Sequence, residues 1–318
     1  MNNNSGEGNL AVLAFPKISE MEQFISVCLK KPISIEEIVI LRQRDFSIVA
    51  RMELKGEAQS VIYKKVIAPW HCEAKVMQFL KDQNLPNAAR IIGAREAGES
   101  AQILQEDAGE WSLLQYPTRD LALLTGLILA QTHEAALDLT VKTEVFARLD
   151  NLERFQECCE SNIFKLNALF PQFAAKVTSR LNQVAGSLSH DLSSSEFCLQ
   201  HGDLYAENII LQERTTPVFI DWSYFSMIGP RLYDLATLTS AHAKNGELGK
   251  FRQAIIEGYA LGSGLSVDEI ERQLPTSWRL SRLLFLQWLL TRVEMGITQT
   301  TVGPVLPLIE KVVAEIIE

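Results

Sequence analysis

The stretch His201-Gly202-Asp203-Leu204-Tyr205-Ala206-Glu207-Asn208-Ile209-Ile210-Leu211, followed by Val218-Phe219-Ile220-Asp221-Trp222, decides how the chain is read. The apolar runs Ile209 to Gln212 and Pro217 to Ile220 have strand character, and a short polar connection joins them. They predict a hairpin that returns Asp221 to the side of Asn208. Four residues separate Asp203 from Asn208, few enough for one turn to place both on the same side. A single Asp or Asn in such a loop is ordinarily a turn residue or a cap. The His-Gly-Asp, the Asn and the strand-terminal Asp together form a far more specific pattern.

Working outward, the chain before this stretch reads as long helical patterns over 116–137 and 143–187. A polar, loop-like run follows from Ser187 to Ser195, then a short strand at Phe197 to Gln200. The chain after Asp221 is again helical. Before Asp107-Ala108-Gly109 strands dominate. Ser19 and Glu22 stand at capping-box spacing and predict a helix that runs to Lys30 and stops before Pro32. Strand-like runs over Glu37 to Gln43, Ser47 to Leu54 and Ser60 to Val66 have short connections, which favours an antiparallel meander. A helix over Trp70 to Gln83 comes next, closed by Asn84 and Pro86, and then strands over Ala89 to Ala94 and Ala101 to Gln105. The expected class is α+β. Residues 1–107 form a small antiparallel-sheet lobe with one long helix, of which 1–8 read as a disordered tail, and 108–318 form a larger, mainly helical lobe.

The 318 residues are 47% hydrophobic and 22% charged, enough for a packed core without staples. Seventeen Gly and eleven Pro exclude collagen-like and wholly disordered chains. Thirty-nine acids against thirty bases give a net charge of −9, which repels phosphodiester backbones and argues against nucleic-acid binding. Cys28, Cys72, Cys158, Cys159 and Cys198 have no metal-type spacing and fit reduced thiols in a cytoplasmic setting. The start Met1 to Gly8 lacks a basic and apolar leader pattern. The most apolar run, Leu121 to Ala130, is half of the roughly 20 residues that a membrane span needs. No membrane partner is expected.

The quoted stretch resembles the signature of the aminoglycoside phosphotransferase and choline kinase-like family, whose members have the protein-kinase fold. His201-Gly202-Asp203, Asn208 and Asp221 all stand at the family's spacing, and the protein-kinase catalytic loop keeps the same Asp-to-Asn separation with Arg where Gly202 stands. The resemblance spans 37–295, with its specific motifs in 201–236. It implies a bilobal protein-kinase-like fold and a transfer of the γ-phosphate of ATP to a hydroxyl of a small molecule, with Mg²⁺ as cofactor. It gives Asp203 the role of base, and Asn208 and Asp221 the role of metal ligands. The chemistry suits those residue types, because phosphoryl transfer depends mostly on positioned charge. Mg²⁺ takes one or two protein oxygens and completes its shell with water and phosphate. His201 and Asp234 are implied as structural support for the loop. GTP in place of ATP stays open, as does the oligomeric state.

The N-terminal lobe offers an independent check, since kinases hold the α- and β-phosphates with a strand Lys oriented by a helix Glu. Alternation along Ser60-Val61-Ile62-Tyr63-Lys64-Lys65-Val66 puts Lys64 and Lys65 on opposite faces. The family pattern of apolar residues before the basic one selects Lys64. On the next helix Glu73, Met77 and Leu80 share one face, so Glu73 points inward and needs a cation; Lys64 is the natural one. The plainer alternative is a surface Glu favoured by the helix dipole. Gln105, Glu106 and Asp107 resemble the family's linker, whose backbone meets the adenine edge. The turn 43–47 has no glycine, a departure from the loops that approach phosphates closely. Ser47 remains there as a hydrogen-bond donor.

Acceptor recognition is less legible. Glu207 and Glu294 are candidates for reading a cationic acceptor, with solvated surface acids as the alternative. Tyr205 and Trp288 are further candidates for the acceptor wall, though Trp278 and Trp288 on a late amphipathic helix also suit core packing. His133 reads as a satisfied buried histidine. The resemblance points to acceptors such as amino sugars, aminoglycosides and amino alcohols. Two rivals remain: a nucleotide-binding scaffold without transfer activity, and a protein kinase. The latter is disfavoured because Gly202 replaces the Arg that reads a phosphorylated activation loop and no Ala-Pro-Glu follows Asp221.

Overall fold

The computed structural model describes residues 13–44, 46–68, 70–83, 85–137, 147–148, 152–192, 196–223, 225–240, 245–297, 299–300 and 303–317. The expected tail 1–8 lies outside them, as do Asp45, Asn84, 193–195 and most of 143–151. The chain divides into two compact units, Met1–Asn84 with Ala89–Asp107 and Leu85–Ala88 with Ala108–Glu318. Among the described residues no helix is long and apolar enough to cross a membrane.

The first unit is built on the strands β1 (Ile35–Gln43), β2 (Ser47–Leu54), β3 (Val61–Ile67), β4 (Ile91–Ala97) and β5 (Ser100–Glu106). Their sheet order is β1-β2-β3-β5-β4, with every neighbouring pair antiparallel. The two-residue period of β2 turns Ala50, Met52 and Leu54 to one face, where they join Val61, Tyr63 and Leu104 under Met21, Phe24 and Ile25 of helix α1 (Ile18–Leu29). Helix α2 (Glu73–Gln83) follows a 3-10 turn at Trp70–Cys72 and packs against β4 and β5.

The capping box expected at Ser19 and Glu22 does not form. Helix α1 starts two residues earlier, at Ile18, Lys17 caps it without a side-chain bond, and Glu22 instead accepts the Ile35 N–H at 3.0 Å. That carboxylate ties the helix to the start of β1, and a tertiary bond has won over the local one. A complete capping box does exist elsewhere, between Ser266 and Glu269.

The second unit is mainly helical: α3 (Arg119–Ala135), α4 (Leu152–Leu169), α5 (Pro171–Leu192), α6 (Tyr233–Thr239), α7 (Arg252–Ser263), α8 (Val267–Glu294) and α9 (Val305–Ile317). The pattern over 143–187 resolves into two helices, the second opened by Pro171, a residue suited to a first helical position. The loop expected over Ser187 to Ser195 is helix as far as Leu192. Leu181 and Leu188, seven residues apart, are both buried in the α4–α5–α8–α9 core, and Ser189 returns its hydroxyl to the Ala185 carbonyl at 2.9 Å. Burial on one face outweighs the polar composition of that turn. Helices α3 and α7 pack backbone to backbone: a Cβ on Gly126 or Gly258 would strike the carbonyl of Ile255 or Leu123.

Short strands frame the quoted stretch. After β6 (Ala147–Arg148) come β7 (Phe197–Gln200), β8 (Ile209–Gln212), β9 (Thr216–Phe219) and β10 (Met227–Pro230). The hairpin read from the sequence is present, with Ile209 opposite Phe219 and Gln212 opposite Thr216. Glu213 and Arg214 both have positive φ at its tip, the requirement of a tight hairpin turn, and the Arg214 guanidinium lies 4.0 Å over the Trp111 ring. Strand β10, paired with β7, was not foreseen, because Gly229 and Pro230 interrupt any alternating pattern.

Candidate active site

The loop after β7 is held by its backbone. Asp234, in the first turn of α6, is fully buried; its Oδ2 accepts the His201 N–H at 2.7 Å and its Oδ1 accepts the Gly202 N–H at 2.9 Å. His133 Nε2 lies 3.3 Å from Oδ2, and His133 Nδ1 lies 3.0 Å from the Tyr259 hydroxyl. Burial alone would push this carboxyl up. The hydrogen bond and charge of His133, the His201 ring and the Gly202 N–H outweigh it and hold Asp234 below the usual carboxylate value. Gly202 has φ +85°, and a Cβ there would run into the Phe225 backbone carbonyl. Only glycine fits, and that is why the protein-kinase Arg has no place here.

Asp203 and Asn208 are joined directly: the Asn208 Nδ2 donates to the Asp203 carbonyl oxygen at 2.8 Å. With its amide nitrogen spent there, Asn208 has its Oδ1 as the atom able to meet a cation. The Asn208 carbonyl accepts the Ile220 N–H at 3.0 Å, and His201 Nε2 lies 2.8 Å from the Ile220 carbonyl. His201 Nδ1 accepts the Asp203 N–H at 3.3 Å, so the ring carries its proton on Nε2 and donates it to Ile220. Both peptide groups of Ile220 are thereby tied to the loop, and the next residue is Asp221. Asp221 itself has φ +62°, an uncommon conformation for a residue with a side chain and one that persists only where its surroundings impose it. The structure thus brings Asp203, Asn208 and Asp221 together, with His201 and Asp234 as their frame.

Asn245 belongs to that frame and was not foreseen. Its Oδ1 accepts the Ala206 N–H at 2.9 Å, and its Nδ2 donates to the carbonyls of Thr237 and Leu238 at 3.2 and 2.7 Å. Nothing in its sequence surroundings, an Asn-Gly pair that reads as a turn, signals this use. Arg282 was also missed. It is buried, donates from Nη2 to the Tyr205 hydroxyl at 3.2 Å, and lies 4.0 Å over the Trp278 ring. Burial pushes the Tyr205 phenol up, against the lowering effect of Arg282.

The remaining acceptor candidates separate. Trp288 stacks on Phe285 with centroids 5.5 Å apart and lies 6.1 Å from Phe225, the residue whose carbonyl abuts Gly202. Glu207 is exposed on the 3-10 turn Ala206–Asn208. Glu294 ends α8 and is paired with Lys165 at 2.7 Å.

In the first unit Lys64 Nζ and Glu73 Oε1 form an ion pair at 2.5 Å, with both residues buried. Such a pair withstands burial because each partner satisfies the other. Strand register sets Val49 and Ile103 on either side of Lys64, and Arg51 and Gln105 on either side of Ile62 two residues earlier. Ser47 is buried, and its carbonyl accepts the Arg44 N–H at 2.8 Å. Gln105 is paired across both β3 and β4, while the Glu106 N–H donates to the Arg90 carbonyl at 2.9 Å. Asp107 accepts from Arg51 Nε at 2.5 Å and from the Ser60 hydroxyl at 2.6 Å, so its side chain is committed within this unit.

The model of the phosphotransferase enzyme family matches residues 65–270, a span that holds the loop, the hairpin and α6. The chain belongs to that family. It is a small-molecule phosphotransferase built on the protein-kinase-like fold. Solved structures of similar fold include a Plasmodium vivax ethanolamine kinase, at 14% identity and TM-score 0.62, covering 87% of this chain and 81% of that one. A putative fructosamine-3-kinase from Haemophilus somnus has 15% identity and TM-score 0.61, covering 94% and 97%. An aminoglycoside phosphotransferase in ternary complex with AMP-PNP and hygromycin B has 12% identity and TM-score 0.60, covering 94% and 98%. No curated protein matches the sequence.

Proposed function

We propose that this phosphotransferase moves the γ-phosphate of ATP directly to a hydroxyl of a small molecule. Asp203 accepts the hydroxyl proton and aims the oxygen at phosphorus. Asn208 Oδ1 and the Asp221 carboxylate would hold Mg²⁺, which when bound neutralises charge on the phosphate oxygens. The donor set fits such an ion, since the bond from Asn208 Nδ2 to Asp203 leaves an amide oxygen, and Asp221 adds a second hard oxygen. Lys64, held by Glu73, takes the α- and β-phosphates. The segment Gln105 to Asp107 meets the base through main-chain groups other than those spent on β3, β4 and the Arg90 carbonyl, with Ser47 as a donor from the turn. Tyr205 beside Arg282 and Trp288 beside Phe225 are the acceptor-side residues of this reading, with Glu207 and Glu294 as the acids offered to a cationic acceptor.

The observation that carries this reading is the double anchoring of Ile220 to Asn208 and His201, which binds base and metal ligands into one backbone unit. That similar folds are named as kinases of ethanolamine and fructosamine, or hold hygromycin B beside AMP-PNP, supports a hydroxyl-bearing acceptor. The test is phosphate transfer from [γ-³²P]ATP to a panel of amino alcohols, amino sugars and aminoglycosides by the full chain with Mg²⁺. Asp203→Ala should lower turnover by about 10²- to 10⁴-fold while MgATP affinity stays nearly intact. Near-normal turnover in that variant would remove Asp203 as base. MgATP binding with no transfer to any member of the panel would favour the silent scaffold.

A further inference from the structure

The turn between β1 and β2 lacks glycine, and Phe46 is its distinguishing residue. The Phe46 ring lies against the Trp70 indole, with centroids 4.2 Å apart and planes tilted by 43°. Trp70 is 4% exposed and opens the 3-10 turn that leads straight into Glu73. The Phe46 carbonyl accepts the Ile67 N–H at the end of β3 at 3.0 Å, and the Arg44 N–H closes the turn on the Ser47 carbonyl at 2.8 Å. Phe46 is therefore fastened at two points. One is the strand that carries Lys64; the other is the segment that sets where Glu73 stands.

We propose that Phe46 and Trp70 are positioning residues for the phosphates of a magnesium–nucleoside triphosphate. Their contact holds Phe46 where a glycine would move freely and keeps Glu73 in register with Lys64. The inference rests on the nucleotide reading given above. A glycine-rich loop samples many conformations, and each residue ordered on binding opposes binding. A Phe46 already held by an aromatic contact and a backbone bond has lost that freedom on folding, so the nucleotide does not have to impose it.

The experiment measures MgATP affinity of the full chain by calorimetry, with KM for ATP and for the acceptor in parallel. Phe46→Gly should weaken MgATP binding about five- to tenfold, the worth of an aromatic pair. The acceptor KM should stay within about twofold, and Phe46→Tyr should behave like the native chain. In a Lys64→Met background, Phe46→Gly should cost less than about twofold, because the contact acts through the Lys64–Glu73 pair. Equal losses in both backgrounds, or unchanged affinity in a folded Phe46→Gly chain, would overturn the proposal. Circular dichroism establishes folding; if Phe46→Gly does not fold, Phe46→Leu keeps apolar volume without the ring face and is judged by the same two measures. A native chain that does not bind MgATP overturns the functional reading and this one with it. A native chain that binds, with Phe46 variants indifferent, overturns this one alone.

Discussion

Asp234 offers the sharpest test of how the loop from His201 to Asn208 is held. Its carboxylate is fully buried and takes the N–H groups of His201 and Gly202 at 2.7 and 2.9 Å, with His133 Nε2 at 3.3 Å. Asp234→Asn keeps the shape but turns an NH₂ toward one of those donors. The loss is one hydrogen bond to a charged acceptor plus one donor left facing a donor, together about 2–4 kcal/mol. In a chain of two units, global unfolding is a poor gauge of so local an effect. Amide exchange at His201 and Gly202, followed by mass spectrometry, reads it directly, and about 3 kcal/mol corresponds to roughly two decades in opening. Turnover should fall with the loop's order, while MgATP affinity changes less. The pH dependence has a fixed sign. The folded carboxyl is held below its unfolded value of about 3.9, so its contribution is full above that pH and is lost as pH falls through the lower folded value. In Asp234→Asn that acid-side loss should be missing. Exchange at both amides within about twofold of the native chain would refute the argument that this carboxylate holds the loop.

Gly202→Ala places a Cβ against the Phe225 carbonyl at φ +85°. It should lower stability by about 1–3 kcal/mol and turnover more steeply, checked by thermal midpoint and steady-state rate. Asn245→Ala frees the Ala206 N–H and the carbonyls of Thr237 and Leu238. About 1–3 kcal/mol of stability should go, with kcat falling and KM for ATP unmoved; an unchanged kcat would show that the loop stays ordered without it.

The parts of this fold that were legible share a short, strict period. Strand β2 was read residue for residue at Ser47 to Leu54, because an alternating strand cannot slip without exposing its apolar face, and the hairpin strand at Ile209 to Gln212 was read from its unbroken apolar run, which the structure buries at Ile209, Ile210 and Leu211. The pairing of Lys64 with Glu73 followed from an acid on an apolar helix face. What stayed hidden depends on partners distant in sequence. Glu22 left its capping position for the Ile35 N–H, α5 ran on to Leu192 because Leu188 found a core, and β10 exists because β7 offered it an edge. Asn245 and Arg282 are of the same kind: their positions are set by tertiary bonds to Ala206 and Tyr205, and no local pattern reports such bonds.

The spacing from Asp203 to Asn208 and on to Asp221 has a physical reason in this chain. Here it encodes backbone wiring. Asn208 must reach the Asp203 carbonyl with its side chain and the Ile220 N–H with its main chain, while His201 reaches the other side of the Ile220 peptide. An extra residue between Asp203 and Asn208 would break the first bond. One between Phe219 and Asp221 would move the carboxylate off its anchored neighbour. The exposed tip at Glu213 to Thr215 makes no bond to any of these groups that the wiring requires, so extra length there leaves the hairpin register to restore the geometry. The positive φ of Asp221 follows from the same constraint: a strand fixed up to Ile220 on both peptide faces leaves the next residue little choice of direction. Residue identity is thus demanded where a side chain or a missing Cβ completes the wiring, and apolar character where Leu204 and Ala206 are buried between those positions.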